Sequence, residues 1–342
     1  MQRCLKIARQ GLGNVSPNPL VGCVIVYDHK IIGEGFHAKY GQAHAEVNAI
    51  NSVKDKFLLE QSTLYVSLEP CSHYGKTPPC TDLIISHKIP KVIIACTDTN
   101  KRVSGKGIEK LIKSGIKVKT GILEKECREL NRRFFTFHEK NRPYIILKWA
   151  QTQNGFIDRI RDAGAEIKPN WITSETSRVL VHKWRTEEDA IITGTHTALL
   201  DNPALTARDW TGKNPIRILI DRTLKIPIHY KLFNTSAPTL VFNTIKNSTD
   251  ENLKYLKINF DENILNTILC VLYNENVQSL IVEGGSKLLK SFIDSKLWDE
   301  ARIFVGPQKF VNGVKAPELN YYKSETKIIG NDKILRIKNN KT

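Results

Sequence analysis

The chain has 342 residues, which is long for a single hydrophobic core, so two domains are expected. Its 41% of apolar and 25% of charged residues are ordinary for a globular protein, and the basic residues behind the net charge of +16 are dispersed. That charge fits a nucleic acid, an acidic small molecule or a lysine-rich composition equally. Seven cysteines argue against a disulfide scaffold, and no apolar run suits a membrane span or a secretory signal, so we expect a cytoplasmic protein.

The first half alternates between patterns typical of strands and of helices. Apolar residues with helical spacing precede Gly11 and Gly13, and the strand-like run at 21–27 turns back as a hairpin. Further strands are predicted at 63–68, 92–96 and 116–118, and helices at 44–53, 81–87 and 108–114. This alternation predicts a layered α/β domain.

A domain boundary is predicted near residue 141. One helix is expected from Glu124 to about Phe137, and the residues from Arg132 to Pro143 resemble a linker. The domains would then be residues 1–141 and 142–342. In the second half, strands are predicted at 144–148, 190–193, 216–220, 239–242 and 280–282, and helices at 175–185, at 264–275 and after Ser286.

Two short motifs in the first half form a pattern typical of a catalytic zinc site. His44 and Glu46 open a predicted helix, and Cys71 and Cys80 each follow a proline beyond the next strand. One imidazole and two thiolates leave the fourth coordination position of zinc open for water. Alone, the histidine would be an ordinary surface or core residue and the cysteines ordinary buried thiols. Together they favour zinc bound by His44, Cys71 and Cys80.

The presence of Glu46 two residues after His44 indicates which reaction this site catalyses. The H-x-E…P-C…C pattern is the signature of zinc deaminases, in which zinc lowers the pKa of water to about 7. Hydroxide then attacks an amidine-type ring carbon, and Glu46 carries the proton to the ring nitrogen and the leaving ammonia. A role for Glu46 as a ligand is disfavoured, because three other groups already leave one open position. Cys80 also starts a predicted helix, whose dipole favours a thiolate.

Residues 1 to about 140 resemble the pyrimidine deaminase half of the bifunctional riboflavin-biosynthesis deaminase–reductases. The matching segments are Ser16-Pro17-Asn18-Pro19-Leu20-Val21-Gly22, Gly33-Glu34-Gly35-Phe36-His37, His44-Ala45-Glu46-Val47-Asn48-Ala49, Glu69-Pro70-Cys71-Ser72-His73 and Gly75-Lys76-Thr77-Pro78-Pro79-Cys80. The family's long spacing between Cys71 and Cys80 is specific, because other zinc deaminases usually have two residues there. The resemblance implies a cytidine-deaminase-like three-layer αβα fold and a phosphoribosyl pyrimidine substrate.

The same resemblance implies that Asn18, His73 and Lys76 contact the substrate. From the sequence alone, the preferred interpretations of these residues are a loop-capping amide, a turn histidine and a solvated lysine.

The second half has no metal-ligand pattern, but it has a glycine pair between a strand and a helix. Gly284 and Gly285 follow Glu283, and such a pair lets a phosphate approach the N–H groups of a helix N-terminus. A tight turn explains the pair equally well, and the G-x-G-x-x-G fingerprint is missing, so a Rossmann fold is not predicted.

Residues from about 142 to 320 resemble the reductase half of the same family, which has a dihydrofolate-reductase-like α/β fold and uses NADPH. The matching stretches are Leu147-Lys148, Asn154-Gly155, Trp171-Ile172-Thr173-Ser174, the segment 201–208, Ile220-Asp221 and Glu283-Gly284-Gly285. The resemblance implies cofactor contacts by Ala150, Trp171, Thr197, Asp201, Gly284, Gly285, Ser286 and Lys287. It implies substrate contacts by Arg185, Leu205, Arg208 and Glu283.

Arg185 and Arg208 suit phosphate, because a guanidinium fork matches phosphate oxygens, although both could also be solvated surface residues. Asp201 is the acid expected to move a proton near the reacting sugar carbon; alternatively it caps a helix or turn. Two positions depart from the family. Pro169 stands where many members have serine, and Arg222, also often serine, is assigned to the 2′-phosphate of NADPH. Residues 159–168 do not align.

The sequence therefore predicts a bifunctional enzyme that uses Zn²⁺ and NADPH. It deaminates 2,5-diamino-6-ribosylamino-4(3H)-pyrimidinone 5′-phosphate and then reduces the ribosyl group of 5-amino-6-(5-phosphoribosylamino)uracil to ribityl. We expect small-molecule substrates, no nucleic acid or membrane partner, and a homo-oligomer. The alternative is a zinc deaminase that acts on a nucleic-acid base and has a non-catalytic C-terminal domain.

Overall fold

The computed structural model describes residues 1–74, 78–99, 104–162, 164, 166–320 and 324–339. Two units can be distinguished along the chain, Met1–Asn141 and Arg142–Thr342. None of the helices in the described ranges combines the length and the apolar character that crossing a bilayer requires.

The first unit is built on a five-stranded sheet. Its elements are α1 (Gln2–Ala8), β1 (Gly22–Tyr27), β2 (Lys30–Phe36), α2 (Ala45–Ser52), β3 (Thr63–Leu68), α3 (Cys80–Ser86), β4 (Lys91–Cys96), α4 (Lys106–Lys113), β5 (Lys117–Lys119), α5 (Glu124–Leu130) and α6 (Arg132–Lys140). The strand order is β2-β1-β3-β4-β5. β1 pairs antiparallel with β2 and β3, whereas β3, β4 and β5 run parallel.

Helices cover both faces of this sheet, because successive side chains of a strand point to opposite sides. Cys23 and Ile25 of β1 pack with residues of α2, α3 and α4, whereas Val24 packs against α1. The predicted three-layer αβα arrangement is therefore confirmed. Gly35 of β2 allows α2 to approach closely, since a Cβ atom there would lie 2.3 Å from the backbone nitrogen of Ala49. This contact fixes the helix that carries Glu46.

The region before residue 141 differs from the prediction. Instead of one helix and a linker, α5 and α6 follow each other with Asn131 between them. The buried Asn131 side chain accepts a hydrogen bond from the Leu20 N–H at 2.7 Å and donates one to the Leu20 carbonyl at 3.0 Å. The prediction was wrong because this side chain binds a distant loop at the break, and because the residues after it form α6.

The second unit contains a ten-stranded sheet. Its elements are β6 (Tyr144–Gln151), β7 (Phe156–Asp158), α7 (Glu175–Glu187), β8 (Ala190–Gly194), α8 (Thr195–Asp201), β9 (Ile216–Ile220), β10 (Thr239–Asn243), β11 (Ser248–Asp250), β12 (Leu253–Lys257), α9 (Ile264–Asn274), β13 (Ser279–Val282), α10 (Ser286–Asp294), β14 (Glu300–Val305), β15 (Val314–Lys315), β16 (Ser324–Ile329) and β17 (Asp332–Lys338). Helices α9 and α10 pack on one face, and α7 and α8 on the other.

The order of this sheet is β11-β12-β10-β9-β8-β13-β6-β14-β17-β16. The strands from β12 to β14 in that order are all parallel, so their carboxyl ends meet at one edge. β13 lies between β6 and β8 although the chain reaches it only after β12. Ligands of open α/β sheets bind at the carboxyl ends of strands near such a reversal of strand order. This edge is therefore where a site is expected.

Candidate active sites

Three potential zinc ligands converge in the first unit. His44 immediately precedes α2, Cys71 follows β3, and Cys80 is the first residue of α3. The Nδ1 atom of His44 lies 3.6 Å from the Cys71 sulfur and 3.3 Å from the Cys80 sulfur, and the three donor atoms all lie within 4.8 Å of one another. Tetrahedral ligands at about 2.3 Å from zinc lie roughly 3.8 Å apart, so this donor set fits the metal.

The surroundings favour thiolate at Cys71. The facing Cys80 thiol and the His44 ring hold the pKa of Cys71 at about 4, although burial opposes this shift. The backbone N–H of Cys80, at the start of α3, also donates to the Cys71 sulfur at 3.3 Å. This N–H belongs to the positive end of the α3 dipole, which favours thiolate at Cys71, the form that binds metal. The hydrogen bond with Cys71, together with burial, instead raises the pKa of Cys80.

Glu46 lies in the first turn of α2 with 3% of its surface exposed. Burial, together with the ionised Cys71, raises the pKa of Glu46 to about 7. Its Oε2 atom has no hydrogen-bond partner among the described residues. A buried carboxylate oxygen without a partner is costly, which fits a site where a water molecule or a substrate proton binds.

His37, for which the sequence predicts no role, brings Asn18 to this cluster. The Asn18 amide nitrogen lies 3.0 Å from Nε2 of His37, and the His37 ring packs edge-to-face on the His44 ring with 5.4 Å between centroids. His73 is exposed in the loop after Cys71. Lys76 lies outside the described residues. A second histidine shortly before the zinc motif was the signal that could have identified His37.

Glu69 is a second residue whose role was not foreseen. Its buried carboxylate accepts hydrogen bonds from the backbone N–H groups of Asp98, Gly105, Gly107 and Ile108, at 2.9 to 3.3 Å. These bonds tie Asp98 and the start of α4 to the end of β3, next to the segment that carries Cys71. A charged residue at the end of an apolar strand was the sequence signal for such a role.

In the second unit, a buried carboxylate lies at the carboxyl edge of the sheet. Glu283 follows β13, and its Oε2 atom accepts a hydrogen bond from Arg185 at 2.8 Å and lies 3.7 Å from the Lys148 ammonium. Although burial opposes it, Arg185 and Lys148 hold the pKa of Glu283 at about 2. Its Oε1 atom has no partner in the part of the chain that the structure describes. The sequence alone predicts no role for Lys148.

A loop after α8 meets α7 beside this carboxylate. Arg185 donates to the carbonyl of Thr206 at 3.0 Å, and the buried Leu205 before it adopts a left-handed φ of 52°. The guanidinium of Arg208 donates to the Thr206 hydroxyl, and burial and the charge of Arg185 lower the pKa of Arg208. Two guanidinium groups held near each other favour the binding of an anion.

The glycine pair lies where the sequence predicted a phosphate site. Gly285 is the residue before α10, and a Cβ atom on it would lie 3.3 Å from the hydroxyl of Thr197. Gly284 precedes it, and Ser286 and Lys287 form the first turn of α10, where backbone N–H groups lack partners within the helix. The space that a side chain at Gly285 would fill, lined by a hydroxyl and a helix N-terminus, suits a cofactor phosphate.

The remaining predicted residues lie on several other elements of the second unit. Ala150 is near the end of β6, and Trp171 lies shortly before α7 with 57% of its surface exposed. Asp201 is the last residue of α8, and its carboxylate accepts a hydrogen bond from Arg161 at 2.6 Å. Arg222 follows β9 and is exposed.

Comparisons with known proteins agree with this geometry. Residues 1–96 match the family model described as the cytidine and deoxycytidylate deaminase zinc-binding region, and residues 143–317 match that of the RibD C-terminal domain. The riboflavin biosynthesis protein RibD of Aquifex aeolicus is 40% identical over 327 residues, which cover 93% of this chain and 89% of that protein. RibD of Escherichia coli is 33% identical over 326 residues, covering 90% and 87%. The chain belongs to the RibD family.

Solved structures of RibD proteins extend the likeness to the fold. A Thermotoga maritima protein, described as a diaminohydroxyphosphoribosylaminopyrimidine deaminase/5-amino-6-(5-phosphoribosylamino)uracil reductase, is 35% identical with a TM-score of 0.87, over 99% of this chain and 97% of that one. A crystal form of Acinetobacter baumannii RibD is 30% identical with a TM-score of 0.86, over 98% and 97%.

As a RibD protein, the chain is a bifunctional enzyme with a zinc-dependent deaminase and an NADPH-dependent reductase that act on small molecules. The predicted family, the cytidine-deaminase-like and dihydrofolate-reductase-like folds, the two activities and the two cofactors are confirmed. The alternative of a nucleic-acid deaminase with a non-catalytic C-terminal domain is not favoured, because the second unit matches the RibD C-terminal domain. The roles of single residues stay predictions.

Proposed function

We propose that residues 1–141 are the deaminase domain and residues 142–342 the reductase domain of an enzyme for two successive steps. The first step releases ammonia from 2,5-diamino-6-ribosylamino-4(3H)-pyrimidinone 5′-phosphate. The second reduces the ribosyl group of 5-amino-6-(5-phosphoribosylamino)uracil to ribityl. The observation that carries this proposal is that each unit gathers buried ionisable groups around one carboxylate with an unpartnered oxygen among the described residues, Glu46 in the first and Glu283 in the second.

In the deaminase, His44, Cys71 and Cys80 are the zinc ligands and Glu46 moves protons. Zinc, when bound, supplies the Lewis acidity that makes water a nucleophile near neutral pH. The free Oε2 atom of Glu46 accepts one proton from the attacking water and gives it to the ring nitrogen. It then carries the second proton, from the new hydroxyl group, to the departing ammonia as the C–N bond breaks and the carbonyl forms. The pKa of about 7 supports this role, because the carboxyl group can both take and give a proton near neutral pH.

Asn18 orients the pyrimidine through a fixed chain of hydrogen bonds. The Ala43 carbonyl, 3.1 Å from Nδ1 of His37, can only accept, so the His37 proton is on Nδ1. Nε2 of His37 must then accept from the Asn18 amide nitrogen, which leaves the amide oxygen as the acceptor for the substrate. This oxygen suits a ring N–H or an exocyclic amine. His73 and Lys76 complete the substrate contacts at the phosphoribosyl end.

In the reductase, the two guanidinium groups of Arg185 and Arg208 hold the substrate phosphate, and Leu205 lines the site between them. NADPH, when bound, supplies the hydride for the sugar C1′ atom. The free Oε1 atom of Glu283 accepts a hydrogen bond from a sugar hydroxyl, and Arg185 and Lys148 together keep that carboxylate ionised although burial opposes them. Asp201 moves a proton beside the reacting carbon, and the burial that raises its pKa supports this role.

The cofactor lies along the carboxyl edge of the sheet. Its phosphates meet Gly284, Gly285, Ser286 and Lys287 at the start of α10, with the Thr197 hydroxyl beside them. Ala150, Trp171 and Asp201 contact the nicotinamide part, and Arg222 the 2′-phosphate. We propose further that the enzyme is a cytoplasmic homo-oligomer without a nucleic-acid partner. The dispersed basic residues support only the last of these points.

The test gives the purified, zinc-loaded protein each substrate separately. Ammonia is measured with the diaminopyrimidinone, and the absorbance of NADPH is followed with the deaminated intermediate; we expect turnover in both assays. No NADPH oxidation would contradict the reductase assignment, and no ammonia release the deaminase assignment. RNA binding that weakens steeply with salt would instead favour a nucleic-acid deaminase.

A further inference from the structure

Arg161 lies in the stretch of residues 159–168 that does not align with the family, and its guanidinium is almost fully occupied by acceptors. The side chain is only 11% exposed. Nε donates to Oδ2 of Asp158 at 3.0 Å, Nη1 donates to the carbonyls of Lys168 and Leu200 at 2.9 and 2.8 Å, and Nη2 donates to Oδ1 of Asp201 at 2.6 Å. Nη2 also lies 2.9 Å from Asp158 Oδ2, an ion-pair contact that adds to these four hydrogen bonds.

These acceptors come from three separate segments of the second unit. Asp158 ends β7, Lys168 precedes Trp171 by a few residues, and Asp201 ends α8. Asp158 is itself tied to the second of these segments, because its Oδ1 atom accepts a hydrogen bond from the Asn170 amide. The guanidinium therefore joins the end of α8 to the chain that leads into Trp171.

We propose that Arg161 is a positioning residue of the reductase site, which holds Asp201 and the segment before Trp171 in a fixed relation to each other. The inference rests on the proposed function, in which Asp201 and Trp171 both lie at the nicotinamide cofactor. A planar guanidinium presents five donors in a fixed fork, whereas a lysine ammonium is a point charge with three. Substitution of Arg161 therefore releases both segments together.

Arg161 also sets the charge around Asp201. Burial raises the pKa of Asp201, and the hydrogen bond and charge of Arg161 oppose this rise. Of the other groups that face the carboxylate, Asp158 raises its pKa and His196 lowers it. Loss of the guanidinium therefore raises the pKa of Asp201, so the limb of the reductase pH–rate profile that Asp201 governs moves to higher pH.

The test compares Arg161→Gln with Arg159→Gln in the full-length, zinc-loaded protein. Arg159 is a matched control, because it lies in the same stretch, is exposed and stacks over the Phe310 ring at 4.7 Å. For Arg161→Gln we expect kcat/KM for NADPH to fall about 10- to 100-fold and the pH profile to move to higher pH. Arg159→Gln should keep the parent's values. Ammonia release, measured on the same molecules, should be unchanged in both.

Two further variants separate geometry from charge. Arg161→Lys keeps the charge without the fork, so we expect the loss in kcat/KM without the shift in pH profile. Guanidinium ion at millimolar concentration should restore part of the activity of Arg161→Ala, and ammonium ion should not.

Parent-like reductase kinetics and pH profile in Arg161→Gln would overturn the proposal, and so would an equal loss in Arg159→Gln. Lost NADPH binding and a lower melting temperature would show that Arg161→Gln unfolds the second unit. In that case Arg161→Lys is the variant that tests the proposal, and parent-like kinetics in it would overturn the proposal. Failure of the proposed function is distinct, because the parent itself would then not oxidise NADPH with the deaminated intermediate.

Discussion

At the scale of single residues, the proton chemistry of the deaminase depends on Glu46. We predict that Glu46→Gln abolishes ammonia release, because an amide cannot take the proton of the attacking water. Zinc, measured by atomic emission, should stay at about one ion per chain, because Glu46 is not a ligand. NADPH oxidation with the deaminated intermediate is the control on the same sample. Ammonia release at the parent's rate would contradict the proton-shuttle role.

A second prediction concerns the ammonium of Lys148, whose side chain is mostly buried beside Glu283. Lys148→Met keeps the length of the side chain but removes one of the two cations beside Glu283. The Glu283 carboxylate would then bind the substrate from a changed position and with less positive charge around it. We expect kcat/KM of the reductase step to fall at least about tenfold, with ammonia release unchanged. Because Arg185 still pairs with Glu283, the fold should persist.

Lys333→Met, at an exposed position on β17, is the matched control for Lys148→Met. Equal reductase activity in the two variants would show that Lys148 has no part in the reaction. Circular dichroism and the melting temperature, measured on both variants, separate a catalytic defect from an unfolded domain.

At the scale of elements, α7 holds the substrate loop with two side chains of one face. Nδ1 of His182 accepts hydrogen bonds from the backbone N–H groups of Arg208 and Asp209, at 2.7 and 3.1 Å, and Arg185 binds the carbonyl of Thr206. Because Nδ1 accepts, the His182 ring is neutral with its proton on Nε2. Residues three apart on a helix face the same way, so one helix fixes both parts of the loop.

This arrangement predicts a pH dependence of stability. Burial, followed by the charge of Arg185, lowers the pKa of His182 from 6.5 to about 4. Between these values the unfolded chain binds a proton that the folded chain does not, so stability is lost as the pH falls from 6.5 towards 4. The glutamine in His182→Gln can still accept a hydrogen bond but does not titrate.

Urea unfolding of both proteins at about pH 7 and about pH 5 is the measurement. We expect the parent to lose on the order of 1–2 kcal/mol more than His182→Gln over this range. Equal losses in the two proteins would contradict the assignment of a neutral, hydrogen-bonded ring.

The elements also show which features the sequence could predict. α2, β3 and β9 were predicted to within a residue or two, because apolar periodicity and the residues at their ends are local signals. The break between α5 and α6 at Asn131 was not predicted, because it depends on a hydrogen bond to Leu20, which is distant in the sequence. Likewise the zinc motif was visible as a local pattern, whereas the contacts of Glu69 and Lys148 appear only once distant strands are side by side.

At the scale of the whole molecule, the prediction was weakest near the C-terminus. β14, β16 and β17 were not predicted, yet they continue the ten-stranded sheet beyond β6. Their sequences contain charged side chains such as Arg302 and Arg336, which obscure the apolar pattern. The structure shows why they are tolerated: both guanidinium groups donate to Oε1 of the buried Glu300, at 2.7 and 2.8 Å.

Removal of zinc should separate the two activities. His44, Cys71 and Cys80 all lie in the first unit, so a chelator is expected to abolish ammonia release and to leave NADPH oxidation with the deaminated intermediate unchanged. Both assays on one preparation, before and after chelation and after zinc is returned, provide the measurement. Parallel loss of both activities would contradict the assignment of zinc to the deaminase alone.

The position of β6 in its sheet has a consequence for synthesis on the ribosome. β6 is the first strand of the second unit, but its neighbours in the sheet are β13 and β14. Tyr144 therefore cannot form its strand pairing until Ser279 has been synthesised. The first unit has all its strands before β6 is made. Domains fold as units, and pairing between strands that are distant in the sequence is slow. The deaminase domain should therefore be folded while the reductase domain is still unfolded.

We therefore expect a chain that ends after Val282, and so lacks β14, to release ammonia normally. Its residues beyond 142 should be digested by a protease that spares them in the full chain. Protease resistance of those residues would show that the later strands are dispensable for folding. Premature termination of synthesis would thus leave a cell with the first activity and without the second.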